Sequence, residues 1–286
     1  MEPFSYLRPA TVAEAVALLE RHGPAARILA GGTDLVIGLR DGSIRPAVVV
    51  DLKRIAEFQP TIRAGHDRLT FSALAVMTDI TEHEAVRRWF PALAEAARVV
   101  GSVQIRNRAT LVGNICNASP AADTAPPLMV YGAILVTAGP AGSRRIPITD
   151  FTLGGGATAL THGELVTAIE LPLPSQPLGS AFRRLTRRRG TDLASVTMCV
   201  SVDRAGVTRL AYGSVGPKPY LVIDDTGLLA DPSGPPPARD ALLDSMFSQA
   251  SPSPRSMRAG PEYRLAMLRV LGARALATAI ARLPEA

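Results

Sequence analysis

The chain has 286 residues, 47% of them apolar, and a formal net charge of +6. That length exceeds what one compact core usually holds, so two or three packed units are expected. No apolar run reaches the roughly 18 residues of a spanning helix, which argues against an integral membrane protein. The positive charge is carried by arginine, with Lys53 and Lys218 the only lysines. Basic residues are not interleaved with aromatics, so nucleic acid is a poor second choice to an acidic cofactor or partner surface.

In chain order, Met1 to Tyr6 has neither a basic n-region nor an apolar h-region, and no signal peptide is expected. Thr11 to Glu14 form a capping box, Val12, Ala15, Val16 and Leu19 follow helical spacing, and Gly23 closes the helix. Arg27–Ala30 reads as a short strand, Leu35–Leu39 as a short helix and Ala47–Val50 as a second strand. Residues 1–55 therefore form an α/β unit with a small parallel sheet. Residues 56–174 read as α+β: strands at Leu69–Ala73, Ala133–Thr137 and Leu165–Leu171, a helix starting at Thr78 or Asp79, and another opened by Pro91. Pro172, Pro174 and Pro177 mark a linker. Residues 175–286 hold a hairpin, Ser195–Asp203 with Val207–Tyr212, then a helix near 238–248. The last helix starts at Pro261, with Leu265, Leu268, Val270, Leu271 and Ala275 as its buried stripe.

Two stretches carry candidate chemistry. Ala30-Gly31-Gly32-Thr33-Asp34 sits where a strand ends and a helix begins, and such a glycine turn presents backbone N–H groups to an anion. It is neither the dinucleotide fingerprint nor a P-loop. The second stretch, Thr110 to Leu128, has Asp123 as its only charge and is crowded with small and hydroxyl or amide side chains. Gly113, Asn114, Ser119 and Pro120 argue against a plain helix, and Pro126 and Pro127 against a central strand, so an irregular, conformationally fixed loop is expected.

Other features are weaker. His22, His66, His83 and His162 are scattered, and Cys116 and Cys199 stand alone, so no metal site or disulfide framework is expected and a reducing cytosol is the simplest setting. Ser214 misses the nucleophile-elbow pattern. Gly154-Gly155-Gly156 reads as a flexible loop between strands. The run Arg183, Arg184, Arg187, Arg188 and Arg189 reads about equally as a solvated face and as a run whose first member is functional, on an anionic cofactor or an acidic partner.

The two loops together, with the lead-in Gly101 to Asn107, the segment Asn117 to Pro127, Phe182-Arg183 followed by Asp192-Leu193-Ala194, Gly216 to Pro219 and Tyr263-Arg264, resemble the FAD-binding medium subunit of the molybdenum hydroxylases. That family includes xanthine dehydrogenase and aerobic carbon monoxide dehydrogenase. The resemblance implies an α+β, vanillyl-alcohol-oxidase-type FAD domain with a three-stranded antiparallel sheet and helices at its C-terminal end. It implies non-covalent FAD, with the backbones of Leu29, Ala30, Gly31, Gly32, Thr33, Asp34 and Leu35 and of Thr110 through Gly113 and Asn114 on the diphosphate. Thr33, Thr110 and Asn114 would add side-chain donors, and Asp123 would accept from adenosine ribose hydroxyls. Leu165 or Val166 would pack near adenine or flavin, and Arg183 would lie near the flavin. Val100, with Gly101 beside it, falls where some relatives place an aromatic over the flavin, and Ala118 lies between the diphosphate and adenosine ends.

The function so implied is electron transfer: FAD receives electrons from the 2Fe–2S clusters of a small partner subunit and passes them to an external acceptor. Substrate oxidation takes place on a large molybdopterin subunit. The assembly expected is a dimer of heterotrimers, cytoplasmic or at the inner face of the membrane. A stand-alone FAD-dependent oxidoreductase and a nucleotide-binding regulator are the rival readings.

Overall fold

Thr11 starts the first helix, Val12–His22, as its sequence predicts. Its hydroxyl accepts from the Glu14 N–H at 3.1 Å, and the Glu14 carboxylate accepts from the Ala10 N–H at 2.7 Å. Gly23 ends the helix at φ 49°. The fold is that of a computed structural model, which describes residues 2–176 and 178–283; Pro177 of the expected linker lies outside the described residues.

The first helix buries Ala15 and Leu19 beside a three-stranded parallel sheet, in the order Ser5–Leu7, Val48–Asp51, Ala26–Leu29. The central strand is buried along its whole length, as a parallel strand covered on both faces must be. Ser5–Leu7 escapes a pattern reading because three residues show no period. Leu29 pairs with Asp51, so the glycine turn leaves the sheet at its carboxyl edge, where α/β sheets characteristically bind ligands.

A five-stranded antiparallel sheet follows, in the order Ile62–Ala64, Arg68–Ser72, Leu165–Pro172, Ile134–Gly139, Gly142–Pro147. Its middle strand arrives last in sequence, after a run of helices that includes Met77–Glu82, Pro91–Arg98 and Val103–Arg106. The edge strand Gly142–Pro147 is mostly exposed, and Arg144 and Arg145 blunt it against further pairing. Across this edge the buried Glu164 carboxylate accepts from Thr137, from the Thr161 N–H at 2.8 Å and from Arg144 through two nitrogens, each at 2.7 Å.

Thr110 to Leu128 is not the irregular loop its composition predicts. It holds a helix, Leu111–Cys116, then turns, then the start of a second helix, Ala125–Val130. Thr110 caps the first of these by accepting from the Gly113 N–H at 3.0 Å. Pro126 and Pro127 fall in the first turn of the second, where a missing N–H costs nothing. Gly154-Gly155-Gly156 likewise is no loose loop: it turns between Thr152–Gly154 and Ala157–Thr158, and the Gly156 N–H donates to the Ala118 carbonyl at 3.1 Å.

The C-terminal sheet is antiparallel, in the order Gly179–Leu185, Val196–Val202, Thr208–Gly213, Tyr220–Asp224, one strand more than the three expected. Strand alternation divides its residues between two cores. Val196, Met198, Val200, Leu210 and Tyr212 pack with the long helix Pro261–Ala281, whereas Phe182, Cys199 and Ala211 join the core of the preceding unit. The buried stripe of the long helix is Arg264, Leu268, Leu271, Gly272, Ala275, Leu276 and Ala279; Leu265 is exposed and Val270 half-buried. Arg264 is tolerated there because its Nε donates to the Ser195 carbonyl at 3.0 Å.

Two stability predictions follow from this packing. A Cβ on Gly179 would lie 2.1 Å from the Ala279 carbonyl oxygen, so Gly179→Ala should push the long helix off the sheet and cost about 1–3 kcal/mol, read as a lower Tm. An unchanged Tm would show that the contact is loose. The Arg144 guanidinium, helped by Thr137 and Thr161, holds the Glu164 carboxyl at about 2, against an ordinary 4.5. A depressed carboxyl contributes stability above its unfolded pKa and loses it as pH falls through the folded one. Glu164→Gln should therefore lower Tm at neutral pH, and the gap to wild type should close as pH falls from about 4.5 to about 2.

Candidate functional site

The two candidate loops meet through backbone. A Cβ on Gly31 would lie 2.0 Å from the Arg108 carbonyl oxygen and 3.1 Å from the Ala109 Cα, so residue 31 sits directly on the lead-in to Thr110. Gly32 takes φ +78°, which favours glycine. The chain then enters the helix Leu35–Asp41, with Val36 N–H donating to the Gly32 carbonyl at 2.9 Å. Among the described residues, the N–H groups of Gly31, Gly32, Thr33, Asp34 and Leu35 have no hydrogen-bond partner. Ala30 to Thr33 are half-buried, and Asp34 is exposed without capping the helix through its side chain.

The second loop is held from below. Leu111 N–H donates to the Ala75 carbonyl and Met77 N–H to the Ala109 carbonyl, both at 2.9 Å, and Thr110 bridges Val76. A Cβ on Gly113 would lie 2.8 Å from the Thr110 hydroxyl oxygen, so a larger residue there would need that hydroxyl to shift. The Asn114 side-chain oxygen accepts from the Thr124 hydroxyl at 2.6 Å, which leaves its NH2 group unpartnered among the described residues. Ala118 turns the chain at φ 48°, one of two non-glycine residues with positive φ among those described; the other is Ser214. The Ser214 N–H donates to the carbonyl of Pro120, two residues after Ala118, at 2.7 Å.

Asp123 lies where this stretch passes under the C-terminal sheet. Its Oδ2 accepts from Arg184 Nη1 at 2.7 Å, while its Oδ1 is buried with no partner. Burial pushes the Asp123 carboxyl up to about 7 even though Arg184 pulls it down. Arg184 also donates to the carbonyls of Val99 and Asp192, each at 2.9 Å. Arg183, the member of the run singled out above, leaves the strand on the opposite face and donates to Thr278 of the long helix at 2.9 Å. Arg183 therefore does not share a face with Asp123, and Arg184 does. Reading the run as a strand, with residues 182 and 184 on one face, would have found this.

The remaining positions divide. Val100 and Gly101 are half-buried beside the Val99 carbonyl that Arg184 holds, and Gly101 takes φ +53° against Ile105. Leu165 and Val166 are core residues, 1% and 3% exposed. Next to the Asp123–Arg184 pair lies a cleft of about 550 Å³ with Arg87, Arg98, Arg183, Arg184 and Arg282 on its walls and Glu95 as its one acid. Among the described residues, no three His, Cys, Asp or Glu side chains cluster to hold a metal ion.

Gly31→Ala tests the loop contact. A methyl group there cannot coexist with the Arg108 carbonyl, so the loops should separate and the chain should lose FAD on gel filtration while its far-UV circular dichroism stays native. Full retention of FAD would show that the contact does not shape the site.

Residues 2–174 match the family described as the FAD binding domain in molybdopterin dehydrogenase, and residues 180–279 match the CO dehydrogenase flavoprotein C-terminal domain. The chain is 32% identical over 282 residues to the xanthine dehydrogenase FAD-binding subunit of Escherichia coli O157:H7, covering 97% of this chain and 96% of that one. It is 31% identical over 283 residues to the carbon monoxide dehydrogenase medium chain of Hydrogenophaga pseudoflava, covering 98% of each. The solved carbon monoxide dehydrogenase of Hydrogenophaga pseudoflava, in a form lacking the Mo-pyranopterin moiety of its cofactor, superposes with a TM-score of 0.90 at 30% identity, over 99% of this chain and 100% of that chain. Sequence, fold and the meeting of the two loops agree: the chain belongs to the FAD-binding domain family of the molybdopterin dehydrogenases.

Proposed function

We propose that this chain is the FAD-binding electron-transfer subunit of a molybdopterin-dependent dehydrogenase, working with a large molybdopterin subunit and a small 2Fe–2S subunit. The observation that carries this reading is the backbone contact between Gly31 and Arg108–Ala109, which sets the unpartnered N–H groups of residues 31–35 beside the Thr110 cap. The residues present fit FAD. An uncharged cradle of N–H groups suits a diphosphate, and the orphaned, buried Asp123 Oδ1 suits a cofactor hydroxyl.

On this reading the backbone of Gly31 to Leu35 and of Thr110 to Asn114 holds the diphosphate, and the free Asn114 NH2 group adds a donor. Asp123 accepts from a hydroxyl at its Oδ1. Arg184, Val99 and Val100 surround the same end of the site, and their packing limits water there. Bound FAD supplies redox chemistry that the side chains lack, and the protein's part is binding, orientation and tuning. Cys116 and Cys199 are separate thiols, so the iron–sulfur clusters are assigned to a partner. No helix among the described residues is long and apolar enough to cross a membrane, in keeping with a subunit that meets its partners in the cytoplasm. A dimer of heterotrimers is the assembly we propose, with the electron acceptor external to all three chains.

Co-expression with the two partner chains tests the assembly: a purified complex containing all three, with the flavin bleached by substrate added to the complex and not to the lone chain, supports it. A lone chain that turns over a substrate without partners would overturn it. For the site, Asp123→Asn is the informative change, because it retains an oxygen for Arg184, whereas alanine would strand a buried guanidinium. It should weaken FAD binding about tenfold with Tm nearly unchanged, as measured by titrating FAD into cofactor-free chain.

A further inference from the structure

The basic run that follows Phe182 has one member whose placement the FAD reading does not by itself explain. Arg184 is drawn inward: its side chain is 12% exposed, and that of Asp123 is 11% exposed. Three segments distant in sequence converge on one guanidinium. They are Asp123 at 2.7 Å, the Val99 carbonyl beyond the helix Pro91–Arg98, and the Asp192 carbonyl, the last two at 2.9 Å. An ion pair made only for stability would use both carboxylate oxygens, since a guanidinium fork matches them. Here Arg184 meets Oδ2 alone, through the Nη1 that also donates to the Val99 carbonyl, turns Nη2 to the Asp192 carbonyl, and leaves Oδ1 buried and unpartnered.

We propose that Arg184 is the positioning residue of this site, holding Asp123 as a carboxylate acceptor for a cofactor hydroxyl and tying that acceptor to the Val99–Gly101 segment. The proposal rests on the FAD reading and deepens it. Strand alternation places Arg184, and not Arg183, on the face that carries Phe182 and Cys199 against the preceding unit. Among the groups packed around Asp123, Arg184 is the one cation in contact with it. Glu95 and Arg98 come from the neighbouring helix, and Glu95 is engaged by Arg282 at 2.6 Å and by the Phe182 N–H at 2.9 Å. The helix Ala125–Val130 brings no titratable side chain. The strand Val196–Val202 brings Cys199, whose thiol burial keeps neutral. Of the strand Thr208–Gly213, Arg209 is engaged by Asp203 at 3.3 Å, and Tyr212 lies on the opposite face.

The physical consequence is a choice of protonation. Burial already pushes Asp123 up to about 7 with Arg184 in place, and both contributions of Arg184 act downward. Removing the cation leaves a neutral carboxyl at pH 7, which presents a proton where an acceptor is needed. In the cofactor-free wild-type chain, FAD affinity should rise with pH through about 7. In Arg184→Gln that rise should move to higher pH.

The test is FAD titration of the full-length cofactor-free chain by flavin fluorescence across pH 6–9, for wild type, R184Q, R184K, D123N and the D123N/R184Q double variant. At pH 7, R184Q should bind about tenfold more weakly and regain affinity as pH rises, R184K should restore the wild-type pH profile, and D123N should abolish the profile. The double variant should be no weaker than the worse single one, because both changes remove one interaction. R184Q within twofold of wild type at every pH, or losses in D123N and R184Q that multiply, would overturn the proposal. Should R184Q not fold, R184K decides: a wild-type profile supports the proposal, and a profile displaced to higher pH or lost overturns it. A wild-type chain that takes up no FAD overturns the proposed function instead, which separates the two failures.

Discussion

A side chain at residue 31 would occupy the same space as the Arg108 carbonyl oxygen. Everything proposed for the site depends on that exclusion. Only a glycine lets the turn at the carboxyl edge of the N-terminal sheet lie on the lead-in to Thr110, so two loops some eighty residues apart share one surface. The contact is backbone on backbone, which leaves the N–H groups of residues 31–35 turned to other uses instead of spent on a partner loop. Charge plays little part at this end. Asp34 is exposed and makes no ion pair among the described residues, and the second stretch carries no cation.

The other end of the site follows a different rule. There a carboxylate, a guanidinium and two backbone carbonyls are packed under the C-terminal sheet, and burial sets the strength of each interaction. That sheet works on both faces. One face packs on the long helix, through the close approach of Gly179 to Ala279, and the other closes over Asp123. The same strand therefore bonds the long helix through Arg183, at Thr278, and Asp123 of the proposed site through Arg184. Adjacent residues of identical type have opposite duties because a strand turns successive side chains to opposite faces.

Much of the fold was legible without coordinates. The Thr11 capping box, the Gly23 stop, Pro91 and Pro261 at helix starts and the alternating hairpin 195–212 rest on local chemistry, and each element stands within a few residues of its expected place. Several strands were not legible, Gly142–Pro147 and Gly179–Leu185 among them. Ser5–Leu7 and Ile62–Ala64 are too short to show a period, and Tyr220–Asp224 is half-exposed at an edge. The stretch from Thr110 reads as a loop because Gly113, Asn114 and the prolines are poor residues for the middle of a helix. In the protein they stand in first turns, where the cap and the missing N–H suit them.

The amino-acid sequence by itself determined which residues could meet a ligand through backbone, the near absence of charge in the second loop, and the family, because these rest on residue type and spacing. Which arginine of the run meets Asp123 was decided only by tertiary structure. So were the meeting of Gly31 with Arg108 and the unpaired Oδ1 of Asp123. The reason is physical: a run of arginines has the same composition whichever face each one takes. The face is set by the register of Gly179–Leu185 against Val196–Val202, and that register is fixed by burial of Phe182 and Cys199 on one side and Met198 on the other.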